Sequence, residues 1–573
     1  MRDRPPLKAL TAEDVFFPGL DTGLRLVGAF DATPRAIPPL DLAVLSAASS
    51  AAHRLETRRI LLRFLRHRRF ATGLCFPTLL VAVDDLGLDR SLVTIGGRYL
   101  FSGAAGLRLL ARLGRGPGAD EDQRLARLAD ALAERRADNP LRLPPASDAD
   151  LRRDLVIPTR NLFNFYHFTR ETLPQLALVA RHGLTGDIVI PSPSREVAGF
   201  VRDQVDSLFP ELAPRLRFAF GPFRAEGALM PLDTTWLYYL GEHAGSAAID
   251  GMARRGWLWP PRRLVERGVR TLLQNATEDT LPELRARMLA RLAPPPARRR
   301  RIYVRRRPGR RDRAVVGEAD LIAMLDGLGF ETLCFEDHDV TAQAQIVSEA
   351  EVLVAPHGAG LTNMLFAREG CLVVELSTLQ TAQARFGDFN ALAMTAGVRH
   401  LHVFVDHDWP DPDHVPRIST DGHVGQRLAP GQIALLRSVL TAHLAPDAHA
   451  ALLAELSALN AAQDFDRLGP ALAAARPRLL HEPDAEVWAA NCATVRQDGA
   501  AALCHLQAAL RLAPGRDQLA DRALRLAARR GDAAAFAEVA GLHFLHAPAK
   551  AAALFAAKGW DAVPFGGAED DGG

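Results

Sequence analysis

Between residues 302 and 405 one pattern repeats along the chain: a short apolar run, then a stretch whose apolar positions fall three or four residues apart. Strands apolar on both sides must be covered on both faces, and parallel strands need a crossover long enough to hold a helix. The pattern therefore predicts a buried parallel sheet wrapped by helices. Strands are expected at 302–304, 332–335, 352–354, 372–374 and 401–405. The intervening helices are expected on the stripe Leu321, Leu325 and Leu328, at 343–350, from Leu361 onward and at 389–396.

A looser version of the alternation occupies 161–292, with helices expected at 161–181, 196–208 and 281–292 and strands at 188–190 and 216–220. Pro294-Pro295-Pro296 ends it, because proline lacks the amide donor and restricts the residue before it. Residues 1–150 mix short apolar runs such as 79–83 with an arginine-rich helical pattern at 55–69 and a charge-dense stretch at 112–136, read as a solvated helix. Beyond Pro446 the chain reads as almost wholly helical, with breaks near 476–483, 514–515 and 531–532. Leu506-Gln507-Ala508-Ala509-Leu510-Arg511-Leu512-Ala513-Pro514 looks like the end of a tetratricopeptide-type repeat, although the repeat period is poorly kept in the sequence.

The expected segmentation is an N-terminal region (1–150) that belongs partly to the first α/β half, that half (151–296), a second α/β half (297–445), a helical-hairpin domain offering a surface to a protein partner (446–565) and a disordered tail (566–573).

At 573 residues, with 48% hydrophobic and 24% charged residues, the chain is long enough for two or three cores. Its 69 basic and 67 acidic residues nearly cancel, which removes the overall electrostatic footprint of a nucleic-acid binder. Cys75, Cys334, Cys371, Cys492 and Cys504 are odd in number and form no Cys-x-x-Cys pair, against both a disulfide framework and a cysteine zinc site. No window has the length of a signal-peptide core or a membrane span. The expected location is the cytoplasm, with peripheral attachment at the inner face of the membrane.

His357-Gly358-Ala359-Gly360-Leu361-Thr362-Asn363 follows an expected strand and precedes an expected helix, at the carboxyl edge of the sheet where ligands bind. Glycine lets a diphosphate approach the backbone, and the free amides of a helix start bond anionic oxygens. Thr362 and Asn363 add side-chain donors. A tight strand-to-helix turn without a ligand explains two glycines alone equally well.

The wider segment is more specific. Ser348-Glu349-Ala350-Glu351-Val352-Leu353-Val354-Ala355-Pro356-His357-Gly358-Ala359-Gly360-Leu361-Thr362-Asn363-Met364-Leu365-Phe366, continuing to Val373-Val374-Glu375-Leu376, closely resembles the signature of glycosyltransferase family 61. Tyr303-Val304-Arg305-Arg306-Arg307 with Arg310-Arg311-Asp312-Arg313 is similar to the family's strand-plus-arginine segment. Asn164-Phe165-Tyr166-His167-Phe168 with Glu171-Thr172-Leu173-Pro174 resembles its motif in the first half. One departure is Val316-Gly317-Glu318, where the family commonly has an asparagine before the acidic residue, so no role passes to Gly317.

The resemblance implies a GT-B fold, two Rossmann-like halves facing across a cleft, and inverting transfer of a hexose or pentose from a nucleotide sugar, expected to be UDP-linked. The expected acceptor is a glycan or a lipid-linked polysaccharide. Such transfer needs a base for the acceptor hydroxyl and positive electrostatics for the departing diphosphate. His167 and Glu171, four apart at an expected helix start, share a face; either is the base, or Glu171 orients His167. The resemblance singles out Arg305 and Arg310 as diphosphate ligands beside His357, Gly358, Ala359 and Gly360. Glu375, at a strand end, either accepts from ribose hydroxyls or caps a neighbouring helix.

No cofactor or metal is expected. Asp337-His338-Asp339 and Asp406-His407-Asp408 are read as chance triplets, and the stretch from His400 to His414 as a polar loop without metal-ligand spacing. The absence of a Gly-x-Ser-x-Gly elbow argues against an esterase, and that of a Walker loop against an ATPase. The competing class is a catalytically inactive scaffold that works through its C-terminal helices.

Overall fold

A computed structural model describes residues 11–560 apart from 30–32, 66–68, most of 104–142, 242–268, 295, 297–298 and 308–314. Six strands form an all-parallel sheet in the order Glu331–Leu333, Arg300–Val304, Ala350–Pro356, Leu372–Ser377, Arg399–Phe404, Asp41–Ser46. The first five match the apolar runs of the sequence, shifted by one to three residues. The sixth comes from the N-terminal region, so the second α/β half is not the continuous segment 297–445. Asp41–Ser46 is half-buried along its length, as an edge strand is.

Strand order reverses between Arg300–Val304 and Ala350–Pro356, because the chain first steps outward to Glu331–Leu333 and then returns to the other side. Helices on opposite faces leave a crevice at the carboxyl ends of the two strands at such a reversal. Residues 305–307 and 357–360 leave those two strand ends.

The other large sheet has nine strands among the described residues. Ile188–Ser192 and Leu216–Phe220 come from the looser alternation and run parallel to Leu155–Val156, which lies just before it. The rest is built by residues before Phe101 and by Phe223–Asp233, which runs antiparallel to Thr78–Asp89. One continuous core touches both sheets, with Leu155 and Ile190 of the first and Ile302 and Leu353 of the second. Helix Thr280–Leu289, with Leu281, Leu284 and Met288 buried, packs between them.

The single helix expected at 161–181 is instead a composite. Phe165–His167 is α-helical, Phe168–Thr172 makes a wide π turn, Leu173–Leu176 tightens to 3-10, and Ala177–His182 is α-helical again. Pro174, which has no amide hydrogen, sits where the ladder changes. The expected helix at 112–136 falls almost wholly outside the described residues, as does the tail.

From Pro430–Leu444 to Pro548–Lys558 the described chain forms eight consecutive helices. Three of their turns keep a 34-residue spacing. Asp464, Asp498 and Asp532 each cap a helix through the amide three residues on. Gln463, Gln497 and Gly531, immediately before them, all take positive φ. No helix among the described residues is long and apolar enough to cross a membrane.

The helical array is tied to the start of the chain. Glu538 accepts from Arg54 of helix Ala51–Arg63 at 2.6 Å and from both Nε and Nη2 of Arg511. Burial alone would raise the Glu538 carboxyl, but Arg511 and Arg54 hold it below the usual glutamate range. Its stabilising effect is therefore complete above the ordinary value of about 4.3 and is lost as pH falls through the lower folded value. Glu538→Ala leaves two partly buried guanidiniums unpaired and is expected to cost about 3 kcal/mol at pH 7. Urea unfolding followed against pH should show the gap to wild type closing in acid; a constant gap would exclude the ionic link.

Candidate active site

The carboxyl edge of the six-stranded sheet and the start of helix Phe165–His167 bound a cleft of about 1280 Å³, part of it open to solvent. One wall carries Asn164, Tyr166 and His167. The other carries residues 304–307 and 355–360, with Arg385, Asp388, Phe389 and His423 along the floor. Tyr166 ties wall to floor by donating its hydroxyl proton to the Asp388 carbonyl at 2.7 Å, and its ring meets Phe389 edge-on.

On the first wall the sequence fixes the histidine before the cleft does. The Asn164 side chain accepts from the His167 amide and starts the helix, which aims His167 outward. The Nδ1 of His167 lies 3.1 Å from Oε1 of Glu171, whose side chain is only 11% exposed and does not line the cleft. The two do not reach the cleft together. Burial would raise the Glu171 carboxyl, yet Arg160, 3.6 Å away, and His167 bring it below the ordinary value, so it stays ionised. Glu171 is placed to orient His167, leaving Nε2 as the nitrogen without this partner.

On the second wall the arginines divide by parity. Tyr303 and Arg305 point to one side and both donate to Glu318, at 2.9 and 3.0 Å. Arg307 pairs with Asp337. Arg306, on the side of Val304, makes no close ion pair among the described residues; burial lowers its guanidinium below the ordinary arginine value, although Tyr303 and Glu336, which also lies at the cleft, act the other way. It remains charged, because arginine cannot lose its proton in a protein. The expected ligand Arg305 is thus already engaged and Arg310 lies outside the described residues; among the described arginines of this segment, Arg306 is the one without an ion pair.

Gly358 is needed by that arginine. A Cβ there would stand 2.3 Å from Nη2 of Arg306 and 3.1 Å from its Cζ. Gly360 is under no such constraint, since a Cβ would make only 3.7 Å contacts with Phe335 and Val304. The helix that follows, Ala359–Phe366, is 3-10. Its first amides, at Ala359 and Gly360, bond no acceptor among the described residues and lie at the cleft. Thr362 and Asn363 do not add donors there. Both are fully buried, and Asn363 donates to Gln343 at 2.9 Å.

Glu375 is likewise not at the surface. It is 1% exposed, with Oε1 at 2.5 Å from Nδ1 of His357 and Oε2 at 3.0 Å from Nε2 of His400. Both oxygens are occupied beneath the cleft, which leaves none for a ribose and places the carboxylate as the support of His357. The histidine-rich stretch is a loop only in its second half: His400 and His402 lie in strand Arg399–Phe404, and both are buried. The Asp-His-Asp triplets serve the fold. Asp339 caps helix Val340–Ser348, and Asp406 accepts from the Ser49 amide at 2.8 Å.

Two further features escaped the sequence reading. Asp388 lines the cleft, and burial raises its carboxyl despite His357 and Arg385. Gly317 has φ +84°, and a Cβ there would stand 2.4 Å from the Leu428 carbonyl, so no side chain fits.

If Arg306 and the 359–360 amides form one anion cradle, Gly358→Ala should displace the guanidinium and weaken binding of inorganic pyrophosphate by about tenfold, one lost charge-assisted bond. Arg306→Ala should weaken it similarly, and Gly358→Ala should cost little more in that background. Additive losses measured by calorimetry would show that the two act separately.

Residues 165–374 match the family model described as glycosyltransferase 61. No curated protein matches the chain. The matched segment contains Tyr166 and His167 of the first wall and residues 304–307 and 355–360 of the second, together with helix Ala359–Phe366. Over residues 165–374 the chain is thus similar to glycosyltransferase family 61.

Proposed function

We propose that the cleft transfers a sugar from a nucleotide-sugar donor, UDP-linked, to a glycan or lipid-linked polysaccharide acceptor with inversion at the anomeric carbon. The observation that carries this reading is the division of chemistry between the walls, a histidine with its buried carboxylate on one and an unpaired arginine with free amides on the other. The acceptor oxygen forms a bond to the anomeric carbon as the bond from that carbon to the diphosphate oxygen breaks. The leaving nucleotide takes the electron pair, and the acceptor proton goes to Nε2 of His167.

Glu171 accepts from the Nδ1 proton of His167, which fixes the tautomer with a lone pair on Nε2 and stabilises the imidazolium that forms. Charge on the departing diphosphate is met by Arg306 and by the amides of Ala359 and Gly360. In this reading no metal ion bridges the phosphates. Two sheets on one core, with a cleft lined from both parts of the chain, support the GT-B arrangement. The 34-residue spacing supports a tetratricopeptide-like array able to hold a protein partner. Five free cysteines support a reducing cytoplasm as the place of work, with peripheral attachment at the membrane.

His167→Ala should lower kcat for transfer about 10²–10⁴-fold, the range of a lost general base, while UDP affinity stays at the wild-type value. Glu171→Gln, which keeps shape and removes charge, should lower kcat less and leave KM for donor unchanged. Stopped assays with a panel of UDP-sugars, read also for slow donor hydrolysis, measure both. Undiminished turnover in the two variants would remove the dyad from the mechanism. A wild type that neither binds uridine nucleotides nor turns them over would leave the inactive scaffold as the function.

A further inference from the structure

Glu375 is a lone carboxylate in the dry interior of a parallel sheet. Its ionisable partners among the described residues are histidines, with no arginine or lysine paired to it. Burying an uncompensated charge is expensive enough that such groups are nearly always paired or bound to a metal.

The sheet register brings the histidines to it. Strand Arg399–Phe404 runs parallel to Leu372–Ser377 with Glu375 opposite His402, and His400 lies two residues back on the same face. Oε2 of Glu375 is 3.0 Å from Nε2 of His400 and 3.2 Å from Nε2 of His402. The three ligand atoms all lie within 4.8 Å of one another. The residues are 1%, 1% and 4% exposed. His402 makes no hydrogen bond through either ring nitrogen among the described residues, despite the closeness of its Nε2 to the carboxylate. A buried imidazole aimed at a carboxylate without bonding it is placed as a ligand rather than as a donor.

Neighbouring ligand atoms around a four-coordinate Zn²⁺ stand about 3.3 Å apart, given bonds of about 2.0–2.1 Å. The two distances to Oε2 are close to that spacing. We propose that Glu375, His400 and His402 bind a divalent first-row transition ion, Zn²⁺ foremost, through Oε2 and the two Nε2 atoms. Two imidazoles and one carboxylate suit such an ion, whereas Mg²⁺ and Ca²⁺ take oxygen ligands. Oε1 remains with His357, so the carboxylate joins the ion to a residue of the cleft. The ion lies under the cleft and not among the donor phosphates, and its presence does not depend on the transferase reading.

The test is the metal content of the full-length protein, purified without chelator, loaded with ZnSO₄ and passed through gel filtration. Mass spectrometry of the ions should give about one Zn²⁺ per chain. Co²⁺ in its place should give the visible absorption of a low-symmetry, four-coordinate site. His400→Gln and His402→Gln should each lower the retained metal at least about tenfold with unchanged circular dichroism. His449→Gln, in the partly exposed cluster with His481 and Glu482, is the control and should retain it. X-ray absorption of the wild type, with a first shell of two imidazoles and a carboxylate, gives the same answer if the core variants fail to fold. Wild type without zinc after loading, a first shell of other ligands, or zinc lost only in His449→Gln would each overturn the assignment.

Discussion

The cleft depends on one buried hydrogen bond, from His357 to Oε1 of Glu375. His357 is the last residue before the backbone turns out of the sheet, and the bond fixes where that turn begins. From there Gly358 leaves the space that Arg306 fills, and the first amides of Ala359–Phe366 open toward the cleft. Phe389 packs edge-on against His357 and against Tyr166, which carries the same constraint across to the opposite wall. A single carboxylate in the core thus determines the relative placement of groups on both sides.

The walls differ in how they treat charge. On the first, Glu171 is ionised and spent on His167 and Arg160, so the histidine is the only one of the pair that meets the cleft. On the second, Glu318 and Asp337 pair with Arg305 and Arg307, and among the described residues of that segment Arg306 is left without a close ion pair. Three adjacent arginines therefore act as one cation toward the cleft and as two anchors for the loop that bears it.

Much of this was legible. Apolar runs located five strands of the parallel sheet because a strand buried on both faces leaves no other residue choice. Asp41–Ser46 was not, since a half-buried edge strand separated by most of the chain from its partner leaves no local mark. The glycine turn was legible as a phosphate-type edge, but the reason for Gly358 was a side chain 52 positions earlier. Period-two alternation from the buried Val304 would have selected Arg306 over Arg305, and the same alternation would have shown His400 and His402 sharing a face inside an apolar strand. Both signals were present and were overridden, the first by a motif and the second by the polarity of histidine. The wide turn at Phe168–Thr172 has no sequence mark beyond Pro174.

The edge strand Asp41–Ser46 pairs with Arg399–Phe404, which emerges from the ribosome some 350 residues later. At about 5–20 residues per second the early strand waits roughly 20–70 s for its partner. Helix Ala51–Arg63, which follows it, waits longer still for Glu538. Until then Leu42, Ala43, Val44 and Leu45 stand on an unpaired strand, the kind of apolar edge that invites a wrong partner. The six-stranded sheet can therefore be completed only once residues 399–404 have been made, and the link to Glu538 only later still.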